Sequence, residues 1–245
     1  MADKQQQHGR RMPALGRRLL VALAIVGGGL ILALDEQTAA QQVKPIPKAL
    51  HDVASTEATQ TAVLAGGCFW GVQAVFQHVV GVTGVRSGYA GGSAETATYE
   101  LTETGTTGHA EAVEITFDPK KISYGRLLEI YFSVAHDPTQ VDGQGPDSGP
   151  QYRSAIFPRD EAQAKVASDY IAQLTAAAVF ARPLATTVEP GKAFYQAEAY
   201  HQDYVYNNPG QPYVVIYEQP KIGALHHLFP DFYREKPVLV AGSAS

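Results

Sequence analysis

The twenty residues TAVLAGGCFWGVQAVFQHVV, from Thr61 to Val80, join a strand pattern directly to a helix pattern. The apolar run from Thr61 to Ala65 predicts a short buried strand, which ends at Gly66-Gly67. From Phe69 onward, apolar residues recur at helical spacing, at positions 69, 72, 75, 76, 79 and 80. This stretch therefore predicts a strand-turn-helix unit, whose turn holds Cys68, the single cysteine of the chain.

The segments after Val80 extend this unit into a sheet covered by helices. Strand patterns are predicted over 82–87, 109–117, 152–157 and 184–189, and helix patterns over 123–134, 159–178 and 197–207. The first six elements follow the order βαββαβ, which is the order of the ferredoxin-like split βαβ unit. We therefore predict an α+β fold, a ferredoxin-like βαββαβ two-layer sandwich with a C-terminal extension wrapping the core.

Length and composition restrict the class of protein. The chain has 245 residues, of which 45% are hydrophobic, and this is enough for one domain with a buried core. The net charge of −5 gives no electrostatic reason to expect nucleic acid as a partner. A single cysteine excludes an intrachain disulfide, a CxxC redox pair and a zinc site built on several cysteines.

The N-terminal residues 1–40 differ from the rest. Four arginines precede an uncharged apolar run over 19–34, and small residues follow at 38–40, which is the order of a secretory signal. We expect an exported protein, periplasmic or extracellular, with 1–40 as a signal peptide or with 19–34 retained as a membrane anchor. A polar linker is predicted over 41–60, the main domain over 61–233 and a tail over 234–245.

Cys68 is the first candidate for chemistry. It follows two glycines and begins the predicted helix, so backbone N–H groups and the positive end of the helix dipole would lie near its sulfur. A thiolate is favoured in such a place. The alternative is a small buried hydrophobic residue.

Glu111 is the second candidate. Side chains alternate along a strand, so Glu111 shares a face with Val113, Ile115 and Phe117 and lies at the end of an apolar row. Desolvation there would raise the pKa of the carboxyl and keep it protonated, ready to donate a proton. The alternative is a strand-end glutamate that reaches solvent or pairs with arginine.

Phe69 and Trp70 are adjacent aromatics at the helix start. Both cannot face the core, so one of them is expected to line a pocket beside the thiol, with ordinary packing as the alternative.

Several ordered motifs around these residues strongly resemble one family, peptide methionine sulfoxide reductase A. They are GCFWG at 67–71, SGYAGG at 87–92, TGHAEAV at 107–113, HDPTQ at 136–140, QGPD at 144–147 with QYRSAI at 151–156, and YHQDY at 200–204. The resemblance covers about residues 61–210 and implies reduction of methionine sulfoxide, free or in exported proteins that it repairs.

The resemblance also implies a role for each matching residue. Cys68 matches the nucleophile that attacks the sulfoxide sulfur, and Glu111 matches the acid that protonates the sulfoxide oxygen. Tyr99 and Tyr152 match tyrosines that hydrogen-bond this oxygen, while Asp147 matches a carboxylate that organises the pocket.

The resemblance further assigns substrate binding to Phe69 and Trp70, which match an apolar wall around the terminal methyl group. It implies the S epimer at sulfur, a cysteine sulfenic acid intermediate, no bound cofactor and no metal. Many relatives have a resolving cysteine toward the C-terminus, whereas residues 190–245 contain none. We therefore expect an external thiol reductant, thioredoxin-like or of low molecular weight, and a monomeric protein.

Three other interpretations use the same residues differently. A cysteine hydrolase would pair Cys68 with His109, His136 or His201 as base, although acyl transfer does not call for a buried acid. A metal site would use the histidines at 136, 226 and 227, but these residues lack metal-ligand spacing. A non-catalytic module that binds oxidised methionine would keep the aromatic pocket and dispense with the thiol.

Overall fold

A computed structural model describes residues 43–240 of the chain. The predicted signal peptide or anchor over 1–40, with its apolar run, lies outside the described residues, as do residues 241–245. Within 43–240, no helix combines the length and apolar character needed to span a bilayer.

The regular elements of the described residues belong to strands and mostly short helices. The strands are β1 Gln60–Gly66, β2 Val82–Ala90, β3 Ala110–Phe117, β4 Gly143–Gln144, β5 Asp147–Ser148, β6 Ser154–Ile156, β7 Thr187–Val188 and β8 Phe194–Gln196. The helices are α1 Phe69–Gln77, α2 Tyr99–Thr102, α3 Tyr124–Ile130, α4 Glu161–Ala176, α5 Tyr204–Asn207 and α6 Gln219–Leu228. Two π-helical turns, Tyr131–Ala135 and Val214–Glu218, continue α3 and lead into α6, and 3₁₀ turns lie at Ala94–Thr96, Pro150–Tyr152, Ala199–His201 and Pro230–Phe232.

Six strands form one mixed sheet in the order β7-β6-β1-β3-β2-β8. All neighbours pair antiparallel except β6 and β7, which are parallel. The prediction of helices over a mixed sheet is therefore confirmed. The antiparallel register between β1 and β3, the two central strands, pairs Leu64 with Val113, so two residues further along, Gly66 and Glu111 lie at the same end of the two strands.

The main core lies between one face of the sheet and the helices. Alternate residues of the strands point into it, including Leu64, Val113 and Ile115, and they pack against apolar side chains of α1 and α3 such as Phe76 and Leu127. Full burial of each such side chain is worth about 1.5–3 kcal/mol. The opposite face holds a smaller cluster rich in alanine. The core thus fixes the end of β3 that bears Glu111 against the first turn of α1.

Two predicted elements differ from the structure. The strand predicted over 184–189 is reduced to the two residues of β7. The helix predicted over 197–207 is interrupted at Asp203, which has a left-handed backbone with φ of 55°, so only a 3₁₀ turn and the four residues of α5 form. A residue in the left-handed region cannot continue a right-handed helix, and the apolar spacing gives no warning of it.

The flanking segments lie against the domain. Residues 43–59, within the predicted linker, form no helix or strand, yet Ile46 is buried and the carbonyl of Pro47 accepts a hydrogen bond of 2.6 Å from the Tyr170 hydroxyl. At the other end, the N–H of Arg234 donates to the carbonyl of His78 at 2.8 Å. The boundaries predicted at 41–60, 61–233 and 234–245 stay predictions.

Candidate active site

The turn between β1 and α1 places the cysteine. Gly67 has a φ of +83°, a conformation that glycine adopts without strain, and a Cβ at this position would come within 2.5 Å of the Gln144 side chain. The chain therefore reverses tightly after β1, and Cys68 becomes the N-cap residue of α1.

Cys68 is only 8% exposed. The backbone N–H of Trp70, in the first turn of α1, lowers the pKa of the thiol, as a helix start should. Burial acts in the other direction and more strongly, and the charges of Glu111 and Glu218 add to it, so the pKa lies well above its ordinary value. The prediction of a thiolate in the resting site is wrong, because desolvation and nearby carboxylates outweigh the first turn of the helix.

Glu111 lies beside this turn and is 2% exposed. Its Oε2 accepts a hydrogen bond of 2.9 Å from the backbone N–H of Phe69. Burial raises the pKa of Glu111 well above its ordinary value, against the lowering effect of the Phe69 N–H. The predicted buried carboxyl with a raised pKa is therefore confirmed, and it adjoins the residue that follows Cys68.

Two tyrosine hydroxyls belong to the same region. The Tyr152 hydroxyl donates to both carboxylate oxygens of Glu103, at 3.1 Å each. The Tyr99 hydroxyl makes no hydrogen bond within the described part of the chain, and burial, followed by the charges of Glu103 and Glu111, raises its pKa. Tyr99 therefore offers a free donor near Glu111, whereas Tyr152 is already engaged.

Asp147 is half-buried and acts together with Tyr213, a tyrosine that lies outside all the sequence motifs. The hydroxyl of Tyr213 donates to Oδ2 of Asp147. Burial raises the pKa of Asp147, while this hydrogen bond lowers it. Tyr213 also touches the edge of the Trp70 ring, with the two ring centroids 6.1 Å apart, so Asp147 is tied to the aromatic side of the site.

The aromatic wall is built around a histidine. Phe69 is buried and Trp70 is partly exposed, so only one of the two aromatics is fully in the core, while the pocket role of the other stays a prediction. Trp70 stacks on Tyr204 at 3.6 Å between ring centroids, and its Nε1 donates to Nδ1 of His201 at 3.1 Å. The His201 ring lies 5.0 Å from Phe69 and 4.7 Å from Tyr99. His201 lies 131 positions after Trp70 in the sequence, so only the folded chain brings it to this aromatic wall.

Glu218 and Lys221 are site residues that sequence reasoning missed. Glu218 is fully buried, and its Oε2 lies 2.7 Å from Nζ of Lys221. The carboxylate packs so closely on α1 that a Cβ at Gly71 would overlap it. No local pattern marks these residues, because their only distinction is the tertiary contact with the first turn of α1.

The histidines do not form a thiol–imidazole pair. His109 interacts with the carbonyl of Ser93 at 2.9 Å, and His136 with the hydroxyl of Ser154 at 2.7 Å. His201 is bonded to Trp70, and among residues 43–240 no histidine hydrogen-bonds to Cys68. The same residues contain no group of three or more histidine, cysteine or acidic side chains placed to hold a metal ion. The hydrolase interpretation therefore has no base in position.

A thiol and a buried carboxyl with a raised pKa around one turn, with an aromatic wall at their side, suit a cysteine-dependent oxidoreductase better than a hydrolase. The family model described as peptide methionine sulfoxide reductase matches residues 60–231. The chain belongs to this family, and it is an oxidoreductase.

Individual relatives agree with the family. Peptide methionine sulfoxide reductase MsrA 2 of Mesorhizobium japonicum is 54% identical over 194 residues, which are 79% of this chain and 100% of the relative. MsrA 2 of Synechocystis is 47% identical over 207 residues, or 83% and 97% of the two chains. The crystal structure of reduced Mxr1 from Saccharomyces cerevisiae superposes with a TM-score of 0.57 at 31% identity, covering 68% of this chain and 94% of that one.

Proposed function

We propose that this protein reduces methionine-S-sulfoxide, free or within exported proteins, by way of a sulfenic acid on Cys68. The single observation behind this proposal is the placement of Glu111, whose Oε2 accepts from the Phe69 N–H at 2.9 Å, next to the only thiol of the chain. A sulfoxide is a poor electrophile until its oxygen is protonated, so a nucleophile and an acid must act at one place.

In the first half-reaction, the Cys68 sulfur attacks the sulfoxide sulfur while Glu111 gives its proton to the oxygen. The sulfur–sulfur bond formed by this attack and the sulfur–oxygen bond of the substrate both break, and the oxygen ends as a hydroxyl group on the Cys68 sulfur. The products are methionine and Cys68 sulfenic acid, so the substrate sulfur is reduced and the Cys68 sulfur is oxidised by two electrons. The thiol proton replaces the one that Glu111 donates, and the balance of atoms is complete.

The other side chains bind and orient the substrate. The free hydroxyl of Tyr99 donates to the sulfoxide oxygen, and Tyr152 joins it once it turns from Glu103. By analogy with oxyanion holes, one well-placed donor is worth about 2.7–4 kcal/mol in the transition state. Trp70, with buried Phe69 behind it, holds the terminal methyl group, and Asp147 fixes the Tyr213 hydroxyl at the pocket edge.

The second half-reaction needs thiols from outside. The sulfenic acid reacts with one external thiol to give a mixed disulfide and water, and a second thiol releases Cys68 and an external disulfide. Thioredoxin or a thiol of low molecular weight can supply both equivalents. The absence of any other cysteine in the sequence supports this route.

The location and the fold family are also proposals. The basic residues, apolar run 19–34 and small residues near position 40 support export to the periplasm or the exterior, with 19–34 as an anchor if it is retained. The strand order β6-β1-β3-β2, with α1 and α3 as the connecting helices, supports a ferredoxin-like core. We further propose that the chain acts as a monomer.

Turnover of the two sulfoxide epimers, measured separately with dithiothreitol as reductant, tests the function. We expect consumption of the S epimer alone and no turnover by Cys68→Ser, which should still bind the substrate. Similar rates for both epimers, or turnover by Cys68→Ser, would overturn the proposal.

A further inference from the structure

The buried ion pair next to the thiol is not used by the proposed chemistry. We propose that Lys221 and Glu218 are positioning residues that control how readily Cys68 loses its proton, with Lys221 as the positive partner of the thiolate. This inference deepens the proposed function and rests on it for its biological meaning, although it can be tested without any sulfoxide.

The geometry of Glu218 is unusual for a carboxylate. It ends the π-helical turn Val214–Glu218 and is 0% exposed. Apart from the contact between its Oε2 and Nζ of Lys221, neither carboxylate oxygen accepts a hydrogen bond within the described part of the chain. A buried carboxylate with so little compensation is costly, and an apolar residue would fill the same space at lower cost. A role other than packing would account for a carboxylate at this position.

The pair faces the first turn of α1. Gly71 is the third residue after Cys68, and only the lack of a Cβ there lets the Glu218 carboxylate reach the helix backbone. Lys221 lies one helical turn after Glu218, at the start of α6, and its side chain is 14% exposed. Both charges of the pair therefore lie close to the thiol and largely out of water, where electrostatic interactions are weakly screened.

Other titratable groups near Cys68 also contribute to the electrostatic environment of the thiol. They are Glu111 on β3, Tyr99 on α2 and Tyr213, which directly precedes the π-helical turn. The carboxylates Glu111 and Glu218 raise the pKa of the thiol after burial has done so, and Lys221 lowers it. Lys221 thus acts on the pKa of the thiol in the direction opposite to Glu218, and Glu218 moderates the effect of Lys221.

Alkylation of Cys68 by iodoacetamide tests this directly, because the chain has one thiol and the reaction rate follows the thiolate fraction. Rates are measured against pH in the full chain for the unaltered protein, Lys221→Met, Lys221→Arg, Glu218→Gln and the double variant. The matched control is the exposed pair Lys165–Asp169 on α4, changed to Lys165→Met and Asp169→Asn.

We expect Lys221→Met to slow alkylation at neutral pH by about tenfold and to move the midpoint to higher pH, since one pKa unit is a tenfold change in thiolate. Glu218→Gln should move the midpoint to lower pH, and the double variant should lie between them. Lys221→Arg keeps the charge and should stay near the unaltered protein, as should both controls.

A purely structural role would lower the unfolding temperature without opposite shifts of the midpoint. Midpoints that stay in place, or that move in the same direction in Lys221→Met and Glu218→Gln, would overturn the inference. If Lys221→Met does not fold, Glu218→Gln and the double variant still give the comparison, and a double variant that matches Glu218→Gln would count against Lys221. Failure of sulfoxide turnover in the unaltered protein would contradict the proposed function and leave these shifts unaffected.

Discussion

The backbone N–H of Phe69 donates to Oε2 of Glu111 at 2.9 Å, and this hydrogen bond joins strand β3 to the first turn of α1. Because Phe69 directly follows Cys68, this hydrogen bond holds the acid next to the thiol. It also stabilises the ionised form of Glu111, against the larger effect of burial on its pKa. The first turn of α1 therefore positions both groups: Cys68 is its N-cap residue, and the N–H of Phe69 binds the Glu111 carboxyl. The proposed proton transfer requires this proximity.

Replacement of Glu111 by glutamine should remove the proton donor and keep the contact with Phe69. The amide oxygen can still accept from the N–H, so folding and substrate binding should change little. We expect kcat for sulfoxide reduction to fall by about 10²–10⁴-fold with a small change in KM. Glu114→Gln, on the other face of β3 and paired with Arg86, is the matched control. A kcat of Glu111→Gln near that of the control would contradict the assigned role.

The raised pKa of Glu111 predicts how stability depends on pH. The folded state keeps the proton at pH values where the unfolded chain has lost it, so this contribution is complete below the unfolded pKa and is lost as pH rises through the folded pKa. The free energy of unfolding of the unaltered protein should therefore fall relative to that of Glu111→Gln as pH rises above about 4.3. Urea unfolding at several pH values measures this difference, and a constant difference would rule it out.

His136 predicts the opposite slope at acidic pH. Burial lowers its pKa to about 3, and its ring is held between the Ser154 hydroxyl and the Tyr131 carbonyl. The unfolded chain binds a proton below about pH 6.5, so stability present above that value should fall toward pH 3 by up to about 1.4 kcal/mol per pH unit. His136→Gln should remove this slope, whereas the exposed His227→Gln should not. Equal slopes in both variants would contradict the assignment.

Two helical glycines should respond in opposite ways to alanine. A Cβ at Gly71 would overlap the Glu218 carboxylate, so Gly71→Ala should destabilise the fold by about 1–3 kcal/mol. A Cβ at Gly223, in α6, would meet no atom within 4 Å, and Gly223→Ala should stabilise by about 0.5–1 kcal/mol. Denaturant midpoints decide this, and a stabilised Gly71→Ala would show that Glu218 does not occupy the space.

The spacing of apolar residues in the sequence was enough to predict individual strands and helices and their buried faces. The change from strand to helix spacing at Gly66-Gly67 predicted β1 and α1, and the alternation along β3 predicted the buried face of Glu111. The break at Asp203 could not be predicted, because a left-handed residue within an apolar helix pattern depends on tertiary contacts. The same holds for Glu218, which reaches Gly71 only in the folded chain.

The pKa of Cys68 could not be predicted from the local motif alone. A cysteine at a helix start has a lowered pKa when the helix dominates its surroundings. The sequence around position 68 does not show that the thiol is buried or that Glu111 and Glu218 lie near it. These three effects raise the pKa of the thiol instead of lowering it. The burial of Glu111 and the raised pKa of its carboxyl were predicted correctly, because the burial follows from the alternation along its own strand.

Reaction of the protein with one equivalent of methionine-S-sulfoxide, without any reductant, tests the central role of Cys68 most directly. We expect release of one methionine per chain and a gain of one oxygen atom at Cys68, which a sulfenic acid reagent should trap, in a protein that stays monomeric. A protein that releases no methionine, or whose main product is a homodimer linked by a Cys68 disulfide, would contradict this role.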